Sequence, residues 1–140
     1  MSTWHLISMQ LLHFGPLLVV QNHIILLFIV DPPFVTVNQS LYYVQTGNMV
    51  TLVCDVSSSL PLTDVEWEKN SNGTITTINT ESNTEKYSGS STNTPSLTIF
   101  YAELSDAGIY TCFASNSDGT GESDMTTLIV SGKVFLIMLL

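Results

Sequence analysis

The cysteine content of this chain constrains its fold more than any other feature. Cys54 and Cys112 are its only two cysteines, 58 positions apart, and the second closes the run D-x-G-x-Y-x-C that begins at Asp106. By count and spacing alone they are either two free thiols or one bridge. The run around Cys112 therefore allows two interpretations, a reactive site or a structural element.

Charge is concentrated in the middle of the chain and is almost entirely negative. Twelve acidic residues stand against three lysines and no arginine, which gives a net charge of -9 over 140 residues. All twelve lie between Asp31 and Asp124, and residues 1–30 contain no Asp, Glu, Lys or Arg. Because such a charge repels a phosphate backbone, we expect no nucleic-acid partner.

Both ends of the chain are apolar. Residues 1–30 have the length of a secretory signal, but they lack a basic start, and Gly15, Pro16 and the polar stretch 21–23 interrupt the apolar runs. Each run is shorter than the about 20 residues that cross a bilayer. Three interpretations stay open for this segment: a poor signal peptide, an anchor that associates with a membrane, or translated intron sequence beside one exon. The apolar tail 131–140 fits the second and third.

Residues 32–130 carry the alternation of polar and apolar side chains that is typical of strands. The pattern is clear at 50–56 and 64–68, and Asn72-Gly73 is a strong hairpin signal between two such runs. We count eight or nine short strands with turn residues between them, and a helical period only near 102–106. The pattern predicts one all-β domain, a two-sheet sandwich.

The spacing of Cys54, Trp67 and Cys112 resembles the immunoglobulin superfamily. Trp67 follows Cys54 by 13 positions, Cys112 follows Trp67 by 45, and the run D-x-G-x-Y-x-C matches the family's tyrosine corner. The sequence Leu-Thr-Ile at 97–99 stands where the family has strand E. This resemblance implies a Greek-key sandwich of I-set or V-set type, as found in multi-domain cell-adhesion and matrix proteins, with one disulfide between Cys54 and Cys112.

The resemblance also implies roles for single residues. Tyr110 hydrogen-bonds a backbone group upstream, and Asp106 pairs with Lys86, where the family usually has arginine. Lysine supplies a point charge instead of a bidentate fork, so we expect a weaker ion pair. The implied core positions are Trp67, Leu97, Ile99 and Tyr110. On this interpretation the run around Cys112 has a structural role and is not a reactive site.

Residues that could serve in catalysis or metal binding are scarce in the predicted domain. The three histidines, His5, His13 and His23, all lie within residues 1–30, so neither cysteine has a histidine base in the domain. Glu66 and Glu68 alternate on one strand face, which is typical of a solvated surface. The carboxylates at 118–124 lack the spacing of a calcium loop. We expect no catalytic residue, no metal site and no cofactor.

Recognition of a partner is expected at the surface. One candidate contact site is the predicted F–G connection, with Asn116, Asp118, Thr120 and Glu122. A second is the face around Glu66, Glu68 and residues 75–78. Phe113 and Met125 are either exposed on such a face or part of the core, and the core is the favoured interpretation for each.

Two sequons, at Asn38 and Asn72, predict N-glycosylation if the chain is secreted. The whole pattern predicts a non-catalytic, extracellular or cell-surface glycoprotein module that binds another protein, homophilically or heterophilically. The alternative is a structural immunoglobulin module of an intracellular filament-type protein, in which both cysteines stay reduced.

Overall fold

The computed structural model describes residues 17–20, 23–26 and 29–134, and it divides the chain into two units, Met1–Val30 and Asp31–Leu140. In the first unit, β1 (Leu17–Val20) pairs antiparallel with β2 (His23–Leu26). His5, His13 and most of the apolar tail lie outside the described residues. Within the described part, no helix has the length and apolarity that a membrane crossing requires.

The second unit is a sandwich of two β-sheets. The first sheet contains, in spatial order, β3 (Phe34–Val37), β6 (Cys54–Ser57) with its preceding segment β5 (Val50–Leu52), β10 (Leu97–Ile99) and β9 (Tyr87–Gly89). The second sheet contains β4 (Leu41–Gln45), β13 (Thr126–Ser131), β11 (Gly108–Asn116), β7 (Asp64–Ser71) and β8 (Thr74–Thr77), and β12 (Gly119–Glu122) pairs with the far end of β11. The chain changes sheet repeatedly, as a Greek-key sandwich requires.

The all-β immunoglobulin-like fold predicted from sequence is confirmed, with eleven strand segments in this unit. The count exceeds the expected eight or nine because two strands are interrupted. Val53 separates β5 from β6, and residues 123–125 separate β12 from β13. The interruptions are local breaks in the ladder, so they leave the order of the sheets unchanged.

The core lies between the two sheets, and β11 shows how the sequence places it there. Tyr110, Cys112 and Ala114 are 0–1% exposed, whereas the residues between them are half-buried on the opposite face. Cys112 stands opposite Trp67 of β7, which is also fully buried. Because side chains alternate across a strand, the apolar phase of each strand meets the apolar phase of its neighbour.

Two local predictions have different outcomes. Asn72 and Gly73 have φ of 51° and 86°, the left-handed values that a two-residue hairpin turn needs, and they join β7 to β8. The expectation that Met125 and Phe113 are core residues is wrong. Met125 is 68% exposed in the break before β13, and Phe113 is half-buried on the outward phase of β11.

Candidate functional site

Both cysteines lie in the centre of the sandwich. Cys54 of β6 and Cys112 of β11 form a disulfide between the two sheets, with 6.5 Å between their Cα atoms. Trp67, beside Cys112 in the register, donates its indole N–H to the carbonyl of Pro95 at 2.8 Å, so its one polar atom is satisfied. Neither sulfur is available as a nucleophile.

The turn before β11 holds the tyrosine of the D-x-G-x-Y-x-C run. Leu104–Asp106 form a short 3-10 turn, and the Tyr110 hydroxyl donates to the Asp106 carbonyl at 2.6 Å. Burial raises the pKa of Tyr110 well above its ordinary value, and the charge of Asp106 adds to this effect. The hydroxyl therefore stays protonated and acts as a hydrogen-bond donor.

Asp106 is buried, and one oxygen of its carboxylate accepts two hydrogen bonds. Its Oδ2 accepts from Lys86 Nζ at 2.6 Å and from the Glu103 amide at 2.7 Å. Lys86 Nζ also donates to the Tyr101 carbonyl at 3.1 Å. Lysine thus uses its spare donor on the backbone, where an arginine would direct a second bond to the carboxylate. The predicted ion pair between Lys86 and Asp106 is therefore formed, and its role is structural.

The side chain of Asn116 lies inside the domain, at the start of the turn between β11 and β12. Its amide nitrogen donates to the Asp31 carbonyl at 2.9 Å and to Ser58 Oγ at 3.1 Å. Its amide oxygen accepts from the backbone N–H groups of Asp118 and Gly119 at 2.8 and 3.1 Å. With 7% of its surface exposed, Asn116 orders the turn and is not accessible to a partner. We therefore remove it from the candidate contact residues.

The other three residues of that candidate site lie near the surface. Thr120 and Glu122 are exposed on β12, and Asp118 is half-buried in the turn. The hydroxyl of Thr120 shares a hydrogen bond with Ser115 at 2.7 Å. These positions form the end of the second sheet, where β11 and β12 pair beyond β13.

The sequence predicted a contact face around Glu66, Glu68 and residues 75–78, but it did not reveal the apolar row that crosses the same outward side of the second sheet. Cross-strand register places Leu41, Thr127, Ile109, Asn70 and Ile75 side by side across five strands, and Tyr43 stands opposite Ile129 in the adjacent row. Tyr43 and Ile75 are 72% and 59% exposed, and the other apolar members are 38–40% exposed. The sequence did contain a signal for this row. Large apolar residues stand at the solvent-facing positions of strands whose inward-facing positions already form the core.

Both sequons are at the surface. Asn38 is exposed between β3 and β4, and its amide oxygen accepts from the Tyr42 hydroxyl at 2.6 Å. Asn72 is exposed in the turn between β7 and β8. Surface position is what an attached glycan requires. Glycosylation at these two sites stays a prediction.

The comparison with protein families decides the identity of this sandwich. Residues 32–116 match the family model described as an immunoglobulin domain. The chain belongs to the immunoglobulin superfamily. In this immunoglobulin domain and the other described residues, no three His, Cys, Asp or Glu side chains come together in a group that could hold a metal ion.

Several known proteins resemble this immunoglobulin domain. It is 36% identical to mouse hemicentin-1 over 78 residues, which are 56% of this chain and 1% of hemicentin-1. It is 34% identical to the bovine WAP, Kazal, immunoglobulin, Kunitz and NTR domain-containing protein 2 over 89 residues, 64% of this chain and 15% of that protein. The chain therefore spans a small fraction of either relative.

Among solved structures, the N-terminal Ig1-2 module of the Drosophila receptor protein tyrosine phosphatase DLAR aligns with a TM-score of 0.57 and 28% identity. The alignment covers 71% of this chain and 45% of the module.

Proposed function

We propose that this immunoglobulin domain is a non-catalytic recognition module of an extracellular or cell-surface protein, acting by adhesion or protein binding. One observation carries the proposal: the two thiols and the other reactive groups of the run from Asp106 to Cys112 are all used to hold the fold together. The two thiols form a buried bridge, and the Tyr110 hydroxyl and the Asp106 carboxylate are satisfied internally. A bridge of this kind persists in oxidising compartments, which supports the extracellular location.

We further propose that the domain, at about residues 32–130, works within a multi-domain protein. Support comes from the relatives, since the name of the bovine protein includes four other kinds of domain beside immunoglobulin. The second sheet adds two strands, β4 beside β13 and β8 beside β7, to the three of the constant-type arrangement, and the described residues contain no further strand beyond β8 in that sheet. That intermediate arrangement favours the I-set type.

The compartment is tested by thiol titration of the protein from its native source under denaturing conditions. We expect no free thiol, together with a loss of mass on treatment with a glycosidase that removes N-linked glycans. Asn38→Gln and Asn72→Gln variants assign the glycan to one site or both. Two free thiols and no glycan would instead identify an intracellular filament-type module.

Recognition is tested with the whole chain, biotinylated and assembled into tetramers on labelled streptavidin. Cells that each display one secreted or membrane protein from an expression library are stained with these tetramers. We expect saturable staining for a heterophilic partner, or aggregation of beads coated with the chain for a homophilic one. Unfolded, reduced chain is the control. Absence of both signals across the library would contradict the recognition function.

A further inference from the structure

The outward side of the second sheet has no partner within the described residues of the second unit. We call this outward side the exposed face. It comprises the apolar row and four carboxylates, those of Asp64, Glu66, Glu68 and Glu122. Adjacent strands lie about 4.8 Å apart, so a row across five strands extends roughly 19 Å. The row consists of Leu41, Thr127, Ile109, Asn70 and Ile75.

Folding does not explain these apolar side chains. Each strand already buries its inward phase, as Leu128 and Val130 of β13 and Val65 and Trp67 of β7 show. Single exposed apolar residues are ordinary, but several large apolar side chains on one side of a sheet, here separated only by Thr127 and Asn70, are typical of an interaction surface in soluble proteins. An open groove lined by Leu104, Ile109 and the turn residues 70–73 continues the face at its apolar end.

The charges on the exposed face all have one sign. Asp64, Glu66 and Glu68 alternate along β7 in the phase opposite to Val65 and Trp67, and Glu122 of β12 stands across from Phe113. No lysine is among the outward-facing strand residues of the face. Lys69 donates to the Ser105 carbonyl, Lys86 pairs with Asp106, and Lys133 follows β13.

The acidic half of the face has a specific geometry. Phe113 of β11 is directly opposite Glu66 on one side and Glu122 on the other, so an aromatic ring lies between two carboxylates in one cross-strand row. A guanidinium or ammonium group placed over this ring gains a cation–π contact and reaches both carboxylates. The apolar row lies along the same strands on the other side of Thr111.

We propose that the exposed face docks a protein partner that presents arginine or lysine beside apolar side chains. The inference rests on the proposed recognition function and specifies its surface and the chemistry of the partner. A second copy of this chain fits poorly, because it carries the same net charge of -9 and would bring carboxylates toward carboxylates. A cationic partner complements the face.

The test uses the whole biotinylated chain to select from a phage library of random 12-residue peptides. We expect the enriched peptides to combine Arg or Lys with apolar residues. For the selected peptides, the double substitution Glu66→Lys/Glu122→Lys is expected to weaken affinity by about tenfold or more, and added salt to weaken it further, because the charges are partly exposed. Ile75→Ser is expected to weaken it as well.

Matched controls separate the exposed face from net charge and general hydrophobicity. Glu81→Lys/Glu85→Lys changes the charge by the same amount at exposed positions between β8 and β9, and Met49→Ser removes an apolar side chain that is 61% exposed elsewhere. We expect both controls to bind within twofold of the wild type. Thermal unfolding verifies that every variant is folded.

A photo-crosslinker in place of Tyr43 identifies what occupies the face. Crosslinks to the selected peptides support the proposal, whereas crosslinks to a second copy or to residues 1–30 of the same chain overturn it. Failure to enrich basic peptides, or unchanged affinity in Glu66→Lys/Glu122→Lys, also overturns it. If tetramers of the Glu66→Lys/Glu122→Lys variant still stain cells, the recognition function stands and only the exposed face is rejected. If tetramers of the wild type do not stain cells, the recognition function itself is rejected.

Discussion

Asp106 joins three parts of the domain at the turn before β11. Its carboxylate binds Lys86 and the Glu103 amide, and its carbonyl receives the Tyr110 hydroxyl. Charge-assisted hydrogen bonds of this kind are stronger than neutral ones, and removing one partner leaves a buried group unsatisfied. The side chains of Tyr110 and Lys86 are therefore expected to stabilise the fold.

The hydroxyl of Tyr110 is predicted to stabilise the fold. Tyr110→Phe leaves the buried Asp106 carbonyl without its donor, so we expect a loss of about 1–3 kcal/mol in the free energy of unfolding, measured in urea. Tyr43→Phe, at a position 72% exposed, is the control and should change stability little. Equal stability of the two variants would show that the hydrogen bond contributes nothing.

The raised pKa of Tyr110 makes an additional prediction about alkaline pH. The folded state holds the neutral phenol, while the unfolded chain ionises near the ordinary value of 10.0. Its contribution is therefore complete below pH 10 and is lost as pH rises further. Between pH 9 and 11, we expect the stability of Tyr110→Phe to fall less steeply than that of Tyr43→Phe. Parallel slopes would be inconsistent with a raised pKa at this position.

Lys86 is predicted to stabilise the fold by neutralising the charge of the Asp106 carboxylate. Its side chain is 17% exposed and that of Asp106 is 6% exposed, so Lys86→Met leaves a nearly buried carboxylate without its cation. We expect a loss of about 3 kcal/mol. Lys86→Arg should stay within about 1 kcal/mol of wild type, because guanidinium keeps the charge and has additional donors. Lys133→Met is the control in the same urea measurement, and a Lys86→Met variant no less stable than it would refute the role.

At the scale of elements, β11 organises the second sheet. It pairs with β7 and with both segments of the interrupted last strand, β12 and β13. The segment β12 approaches the start of β3 in the first sheet, where a Cβ on Gly121 would come within 1.8 Å of the Pro33 carbonyl oxygen. A side chain at this position has no space.

Gly121→Ala is therefore predicted to separate β12 from the chain at Pro33. Because the obstructing atom belongs to the backbone, it cannot rotate away, and we expect destabilisation of about 1–3 kcal/mol. Gly132→Ala, where a Cβ would meet nothing within 4 Å, is the matched control. Thermal unfolding compares the two variants. Identical midpoints would mean that the two segments move apart without cost.

At the scale of the whole molecule, the disulfide is the one covalent cross-link between side chains of the two sheets. It closes a loop with a sequence separation of 58, and the chain-entropy model gives about 4 kcal/mol for a loop of this size. That is a large part of the stability of a small domain. We expect Cys54→Ala/Cys112→Ala to unfold at a much lower urea concentration than the oxidised wild type, with reduced wild type close to the variant. A variant that matches the oxidised protein would contradict this account.

The strand phases, the Asn72-Gly73 turn and the framework of Cys54, Trp67 and Cys112 could all be predicted from the amino-acid sequence. These features depend on local alternation, on a two-residue turn and on spacings that a single fold family explains. The same local logic failed at Met125, because alternation along a strand does not reveal where the strand is interrupted.

The role of Asn116 and the composition of the exposed face became apparent from the folded structure alone. Asn116 binds Asp31 and Ser58, 85 and 58 positions earlier in the sequence. The row from Leu41 to Ile75 likewise depends on the register of β4 with β13 and of β7 with β11, pairs of strands that are distant in the chain. A residue's neighbours across a sheet are set by which strands pair and by how far each is shifted. Strand pairing is a property of the assembled core, so no single stretch of sequence specifies it.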